Sequence, residues 1–381
     1  MKLPIYLDYN ATTPHAPEVI AAMRPFLEEH FGNPSSSHAY GRINRQAVEQ
    51  ARSQVARLIN AKPAEVIFTS GGTEANNHAI LGVACVKGAH AITTQIEHPA
   101  VTEVCEALRS DGVAISYVPV DGEGRVDPED VRRAIRPETG LISVMHANNE
   151  VGTVQPIEEI GKLARERRIL FHTDAAQSAG KVPVDVESLK VDLPSLAGHK
   201  LYAPKGVGAL YVREGTQLNR FLLGAGQERG RRAGTENVLE IVGLGAACEI
   251  AAANLGTNAS HMRQMRDAFE HGIRARVGEV RINGSLDHRL PNTSSLSFRG
   301  LTADELIREI EEHVALSAGA ACHSGEVRVS AVIKALRVPE EWAKGTVRIS
   351  TGRMTNVEEI NLAIEVVAAA VTRIRRVQEL S

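Results

Sequence analysis

The sequence predicts an α/β protein in which a mainly parallel sheet lies between helices, followed by a smaller α+β domain. Short apolar segments alternate with segments of helical spacing over roughly the first 255 residues, and that order is typical of a parallel sheet covered by helices. Several of these segments, such as residues 169–171, are apolar throughout, as expected of strands buried on both faces. From about residue 256 the order changes to long helices, a few strands and helix-capping signatures.

The length and charge of the chain limit what it can be. A chain of 381 residues is long enough for two domains, and we place a large one at residues 12–255 and a small one at 1–11 and 256–381. The net charge of −3, from 43 basic and 46 acidic residues, gives no reason to expect binding to nucleic acid or membranes. By our interpretation no segment is long and apolar enough to cross a bilayer, and the N-terminus lacks the features of a signal peptide.

The elements of the large domain follow in order. A polar turn at residues 8–14 precedes two helices, and a segment rich in glycine and arginine at 224–237 is predicted to be a long loop. The predicted helices span residues 18–30, 41–59 and 157–168, and strands are predicted near residues 65–69, 91–94, 114–118, 141–145, 169–171, 193–196 and 208–212. In that loop Arg229, Arg231 and Arg232 either are solvated or bind a substrate or a partner subunit.

The small domain has its own signals. A helix is predicted at residues 261–277, and strands at 280–282 and 294–298. Thr302 with Glu305, and Thr355 with Glu358, match the capping-box pattern at the start of a helix.

Two neighbouring predicted strands end in residues that carry chemistry. Asp174 follows one of them and Lys200 follows the next, and ligands of open α/β sheets bind at the carboxyl ends of strands. Pyridoxal 5′-phosphate (PLP) needs a lysine amine for its attachment and an acid at its pyridinium nitrogen. The alternative is a surface ion pair and a solvated lysine.

Two further positions suit the same ligand. The turn at residues 70–74 leads into a helix, whose free N–H groups could bind a phosphate, although an ordinary capped turn has the same pattern. His98 follows a strand and could lie over a planar cofactor and transfer protons, or it could simply cap a helix. No metal site is predicted.

Cys322 differs from the other three cysteines. Cys85, Cys105 and Cys248 lie in apolar helical sequence, whereas Cys322 lies in a segment of Gly, Ser and His. We therefore interpret the first three as small buried hydrophobes and Cys322 as an exposed, reactive thiol on a mobile loop. The absence of a CxxC pair or a disulfide pattern favours a reducing, cytoplasmic location.

Taken together, these motifs resemble those of the NifS/IscS-type cysteine desulfurases, which are class-V aminotransferases of PLP fold type I. The resemblance extends over nearly the whole chain and implies a seven-stranded sheet in the large domain. It is carried by Tyr9-Asn10-Ala11-Thr12-Thr13-Pro14, Gly32-Asn33-Pro34-Ser35-Ser36, Thr69-Ser70-Gly71-Gly72-Thr73-Glu74, Glu97-His98, Asn148-Asn149-Glu150, His172-Thr173-Asp174-Ala175-Ala176-Gln177, Gly198-His199-Lys200, Gly234-Thr235-Glu236-Asn237 and Ala321-Cys322.

The resemblance implies a role for each matching residue. Lys200 would carry PLP, Asp174 would pair with its pyridinium nitrogen, and His98 would stack on the ring and move protons. The phenolic oxygen would be bound by Gln177 and Asn149, and the phosphate by Gly72, Thr73, His199 and Thr235, the last from the other subunit of a homodimer with shared sites. Substrate would be held by Arg348, Asn33 and Asn149.

The implied activity is conversion of L-cysteine to L-alanine, with a persulfide on Cys322 that passes sulfur to an acceptor such as an iron–sulfur scaffold. Ala197 replaces a serine that binds phosphate in many family members, and the sequence around Cys322 is poorer in Ser and Thr. Both departures are similar to selenocysteine lyases, which are the alternative. An aminotransferase that ignores Cys322 and a non-catalytic scaffold remain as further readings.

Overall fold

The computed structural model describes residues 3–84, 90–323 and 326–380, with the backbone alone at 84, 320–323, 326–328, 379 and 380. The helices are α1 (Pro17–Glu28), α2 (Ala39–Leu58), α3 (Gly72–Ala84), α4 (Pro99–Ser110), α5 (Pro128–Ala134), α6 (Ile157–Arg167), α7 (Val186–Leu189), α8 (Val238–Arg276), α9 (Ala303–Ile310), α10 (Ala331–Ala335), α11 (Glu340–Ala343) and α12 (Val357–Leu380). The strands are β1 (Ile5–Tyr6), β2 (Val66–Thr69), β3 (His90–Thr94), β4 (Ala114–Val118), β5 (Thr139–Ser143), β6 (Leu170–Asp174), β7 (Leu193–Ala197), β8 (Gly208–Tyr211), β9 (Val280–Asn283), β10 (Thr293–Phe298), β11 (Val314–Ala315), β12 (Ser317–Ala318), β13 (Ala320–His323), β14 (Glu326–Val329) and β15 (Thr346–Ser350).

A seven-stranded sheet organises the first part of the chain, as predicted. Its strand order is β2-β8-β7-β6-β5-β3-β4, and β8 alone runs antiparallel to its neighbours. The strands β2 and β7 are buried along their whole length, because helices cover both faces of a parallel sheet. The carboxyl ends of β6 and β7 therefore lie side by side, and they bring Asp174 and the turn that holds Lys200 to one edge.

A second apolar core lies around the four-stranded antiparallel sheet β12-β15-β10-β9. It combines Leu7 near the N-terminus with Phe269 of α8, Phe298 of β10 and Ile360 of α12. Strand β1 pairs in parallel with β11, so the N-terminal strand belongs to this core before the chain crosses to the large sheet. The domain boundary at residues 255–256 falls inside the continuous helix α8 and stays a prediction.

Helix α8 begins at Val238, far ahead of the predicted start at residue 261. Its first turns contain Gly243 and Gly245, which are poor helix formers but allow close packing, since a Cβ on Gly245 would lie 2.6 Å from Ala51 Cα in α2. By length and composition alone α8 could cross a membrane, so the prediction that no segment could was wrong. Such a helix is also typical of a protein core, and here Leu244 and Cys248 are buried in the main core.

One capping box was predicted correctly and the other was one residue off. Thr302 and Glu305 form the reciprocal hydrogen bonds of a capping box at α9. At α12 the pair is Asn356 and Glu359, which exchange hydrogen bonds of 2.9 and 3.0 Å. Thr355 instead accepts a hydrogen bond from the backbone N–H of Gly352, and an asparagine caps as well as a threonine does.

Candidate active site

A cavity of about 460 Å³ opens at the carboxyl ends of the parallel strands. It contains nine of the residues to which the sequence assigned a role: Gly72, Thr73, His98, Asn149, Asp174, Gln177, His199, Lys200 and Arg348. They come from turns and strand ends as far apart in sequence as α3 and β15. The fold therefore brings the predicted residues together.

Asp174 is held in the cavity wall by hydrogen bonds to its carboxylate. Asn76 Nδ2 donates to Asp174 Oδ2 at 2.7 Å, and the N–H of Ala176 donates to Oδ1 at 2.9 Å. Behind Asn76 lies His172, whose Nε2 is 3.1 Å from Asn76 Oδ1. Burial lowers the pKa of His172 to about 3, so this ring is neutral. Our sequence analysis missed Asn76; its position in the first turns of α3, after the glycine turn, was the available signal.

Lys200 ends a short 3₁₀ turn that directly follows β7. Its Nζ donates to the backbone carbonyls of Asn10 and of Ala11, the latter at 2.7 Å. Burial, followed by the charge of Arg348, lowers the pKa of Lys200 to about 8, although Asp8 and Asp174 oppose the shift. A substantial fraction of this amine is therefore an uncharged nucleophile near neutral pH.

His98 is the N-cap of α4 and also faces the cavity. Its Nδ1 accepts a hydrogen bond from the N–H of Ala100 at 3.1 Å, so in the neutral ring the proton is on Nε2. Burial lowers the pKa of His98, with Asp174 opposing and Lys200 reinforcing this effect. The Nε2–H of the neutral ring is the group that can be donated, and Nε2 can accept a proton only after it has lost this one. The predicted cap is thus confirmed, and His98 also lines the cavity, while its role over a cofactor stays a prediction.

The other end of the cavity is suited to an anion. Gly72 and Thr73 form the first turn of the 13-residue helix α3, where N–H groups are free. A Cβ at Gly72 would lie 3.2 Å from the Cβ of Ala197, so little room exists there for a larger residue. His199 lies nearby, and burial, followed by Lys200 and Lys205, lowers its pKa to about 4.

Arg348 on β15 closes the cavity from the side of the second core. Its Nη1 donates to the carbonyl of Asn149 at 2.9 Å, and its Nη2 donates to Asp8 Oδ1 at 2.6 Å and to Ser317 Oγ at 2.8 Å. Its Nε is buried and has no hydrogen-bond partner in the described part of the chain. A carboxylate could be bound here, in competition with Asp8.

Two predicted site residues do not line this cavity within the chain. Asn33 is exposed in the loop between α1 and α2, and its Oδ1 accepts a hydrogen bond from the N–H of Ser35 at 2.9 Å. Thr235 is also exposed and lines a separate cavity of about 170 Å³. In the same loop Arg232 forms an ion pair of 2.9 Å with Glu74, and Arg229 donates to the carbonyl of Ala64.

The backbone at Cys322 forms a strand rather than the predicted loop. Strand β13 pairs antiparallel with β14, and Cys322 is opposite Val327. The side chain of Cys322 lies outside the described atoms, as does Cys85 entirely. The predicted burial of Cys105 and Cys248 is confirmed, and burial raises the pKa of each thiol to about 12.

The hairpin of β13 and β14 starts close to the cavity. Ser317, whose hydroxyl accepts the hydrogen bond from Arg348, is five residues before Cys322. Five extended residues span at most about 18 Å, so the backbone of Cys322 lies within that distance of the backbone of Ser317, which contacts the cavity residue Arg348.

Comparison with known proteins agrees with this geometry. Residues 5–362 match the aminotransferase class-V family. The chain is 46% identical to a protein named cysteine desulfurase IscS from Dictyoglomus turgidum, over 99% of this chain and 97% of the relative. Among solved structures, a NifS-like protein superposes with a TM-score of 0.91 at 35% identity, covering 97% of this chain and 100% of its own. A structure described as SspA in complex with cysteine has a TM-score of 0.82 at 39% identity, covering 92% and 99%.

Proposed function

We propose that this chain, which belongs to the aminotransferase class-V family and is a cysteine desulfurase, binds PLP in the cavity beside Lys200. It converts L-cysteine to L-alanine there, and Cys322 takes up the sulfur as a persulfide. The observation that supports this most directly is that Lys200, Asp174, His98 and Arg348 line one cavity. This is the set of amine, acid, proton-transfer group and carboxylate-binding group that the reaction needs.

The cavity residues fit PLP. Lys200 has the lowered pKa that an amine needs to react with an aldehyde near neutral pH. Asp174 is a buried carboxylate already held by two donors, and it would pair with the pyridinium nitrogen. The first turn of α3 at Gly72 and Thr73, with His199, would bind the phosphate, while Gln177 and Asn149 would face the phenolic oxygen.

When bound, PLP supplies an aldehyde for condensation with amines and an electron sink for the electron pair left at the α-carbon of the substrate. Arg348 binds the substrate carboxylate and orients the amino acid. His98 donates the Nε2 proton of its neutral ring and takes a proton back at the same nitrogen. The Cys322 thiolate attacks the substrate sulfur, so that an S–S bond forms, the C–S bond breaks and its electron pair leaves with the alanine fragment, which is then protonated.

The exposed positions of Thr235 and Asn33 are consistent with a homodimer in which each subunit completes the other's site, with Thr235 reaching the phosphate of the partner. The persulfide then transfers its sulfur to an acceptor protein such as an iron–sulfur scaffold. We expect these reactions in the cytoplasm, where thiols stay reduced.

The test is alanine formation from cysteine by purified holoenzyme. Cys322→Ala should lose nearly all activity and retain the cofactor absorbance, whereas Lys200→Ala should lose the absorbance that depends on the lysine. Cys105→Ala, which removes a buried thiol outside the cavity, is the matched control and should stay active. A Cys322→Ala enzyme that forms alanine at the wild-type rate would refute the role of this thiol.

Selenocysteine lyase is the second candidate, because Ala197 lines the cavity together with Gly72 at a position where many desulfurases have a serine. The ratio of kcat/KM for cysteine to that for selenocysteine distinguishes the two. A measurable cysteine reaction that requires Cys322 supports the desulfurase, and a reaction confined to selenocysteine would support the alternative.

A further inference from the structure

Lys181 is a buried lysine to which the proposed reaction assigns no task. It lies behind the cavity wall, in the turn after β6, with 6% of its surface exposed. Among the described residues its Nζ donates to two amide oxygens, Asn10 Oδ1 and Gln177 Oε1, each at 3.0 Å, and no ion pair includes it. Burying a lysine without a carboxylate is costly, and a methionine would fill the same space, so packing alone does not explain this residue.

The contacts of Lys181 determine which way the side-chain amide of Gln177 faces. An amide has one oxygen that accepts and one nitrogen that donates two hydrogens. Gln177 Oε1 accepts from Lys181, and Gln177 Nε2 donates one hydrogen to the carbonyl of Asn10 at 3.0 Å. In the reverse orientation, nitrogen would face a donor and oxygen would face an acceptor. The protonation state of Lys181 does not alter this, because a neutral amine still has two hydrogens to donate.

The second hydrogen of Gln177 Nε2 is left for the cavity that Gln177 lines. Asn10 connects this group to the reactive lysine, because its carbonyl also accepts the hydrogen bond from Lys200. Asn292 Nδ2 donates to Asn10 Oδ1 at 2.9 Å. The side chain of Asn10 is therefore also held by the residue that directly precedes β10. Among the described residues, Lys181 is thus the donor that holds Gln177 Oε1, and together with the Asn10 carbonyl it specifies the orientation of the Gln177 amide.

We propose that Lys181 is a positioning residue that holds the Gln177 amide with an N–H directed at the phenolic oxygen of PLP. This inference rests on the proposed function, since it needs PLP in the cavity. A donated N–H stabilises the anionic phenolic oxygen and weakens the hold of that oxygen on the proton of the nitrogen that joins Lys200 to PLP. Loss of the N–H therefore raises the pKa of that nitrogen.

The experiment measures the absorbance of bound PLP against pH in the holoenzyme. Lys181→Met should raise the midpoint by about one unit, the order of magnitude of one hydrogen bond to a charged oxygen. Lys181→Gln retains an N–H donor for Gln177 Oε1 and should stay within about 0.3 unit of the wild type. Lys162→Met, which removes an exposed lysine on α6, is the matched control and should shift nothing.

A double-mutant cycle separates positioning from a direct effect of charge. In a Gln177→Ala background, Lys181→Met should add less than about 0.3 unit, because the group through which Lys181 acts is gone. An equal shift in both backgrounds, or no shift in either, would overturn the proposal. If Lys181→Met is unstable, Lys181→Leu takes its place in the same cycle with the same expected shift, and a Lys181→Leu enzyme that titrates like the wild type would overturn the proposal.

The two proposals can fail separately. The proposed function is refuted if the wild-type protein does not bind PLP, or if Lys200→Ala binds PLP with the same absorbance as the wild type. If the wild-type holoenzyme has normal absorbance and Lys181→Met titrates like it, only the role of Lys181 is refuted.

Discussion

The lowered pKa of Lys200 predicts an unusually reactive amine in the protein before it binds PLP. An ordinary lysine has a pKa of 10.5, and Lys200 has one of about 8. At pH 7.5 a pKa of 8 leaves about a quarter of the amine uncharged, against about one part in a thousand for the ordinary value, a difference of roughly 240-fold. Since the uncharged amine is the nucleophile, the rate at which PLP attaches to Lys200 should be higher by most of this factor.

The perturbation is Arg348→Met in the protein freed of PLP. After burial, Arg348 is the main cause of the lowered pKa, and its removal leaves Asp8, which raises the pKa of Lys200. The pKa of Lys200 should therefore rise towards that of an exposed lysine. The assay is trace acetylation over a pH series, with the labelling of each lysine quantified by mass spectrometry and exposed Lys162 as the internal reference.

The expected midpoint for wild-type Lys200 is at least about 2.5 units below that of Lys162, because Lys200 has a pKa of about 8 and the hydrogen bond to Glu158 raises the pKa of Lys162 from its ordinary value. Arg299→Met, which removes an exposed arginine paired with Glu279, is the matched control and should leave that midpoint unchanged. If Lys200 labels in parallel with Lys162, or if Arg348→Met lowers its midpoint, the electrostatic reasoning is wrong.

Two predictions concern stability. Burial raises the pKa of Glu97 from 4.5 to about 8, so between these pH values the folded state binds a proton that the unfolded state has lost. The free energy of unfolding should therefore fall as the pH rises from about 4.5 through about 8. Urea midpoints measured over this pH range should decline less in Glu97→Gln than in the wild type, and an equal decline would contradict this. Arg52 donates two hydrogen bonds of 2.7 and 2.9 Å to buried Glu228, so Arg52→Met should cost about 3–5 kcal/mol of unfolding free energy. The control Arg57→Met, which breaks an exposed pair, should cost about 0–1 kcal/mol, and similar losses in both would refute the burial argument.

The errors of the sequence analysis were local and have physical causes. Helical sequence was recognised around Cys248, but the start of α8 at Val238 and its continuity to residue 261 were missed. Gly243 and Gly245 lower helix propensity, while the packing of α8 on α2 requires the small size of Gly245. The strand at Cys322 was missed because a segment of small and polar residues has weak β-propensity, and its pairing with β14 is a contact that no local pattern reports. The capping residue of α12 was assigned one position early because Thr355 and Asn356 both suit a cap.

The sequence by itself determined the order of strands and helices along the chain and the residues that follow the strands. It thereby identified Lys200, Asp174 and His98 as candidate site residues. This was possible because alternation and strand ends are local properties that short segments display. Only the tertiary structure decided the partners of these groups: Asn10 beneath Lys200, Asn76 against Asp174, and Lys181 behind Gln177. These contacts join distant positions, which are 190 residues apart in the case of Lys200 and Asn10. They depend on how β1, the large sheet and the second core pack against each other, and a single sequence carries no periodic signal for that packing.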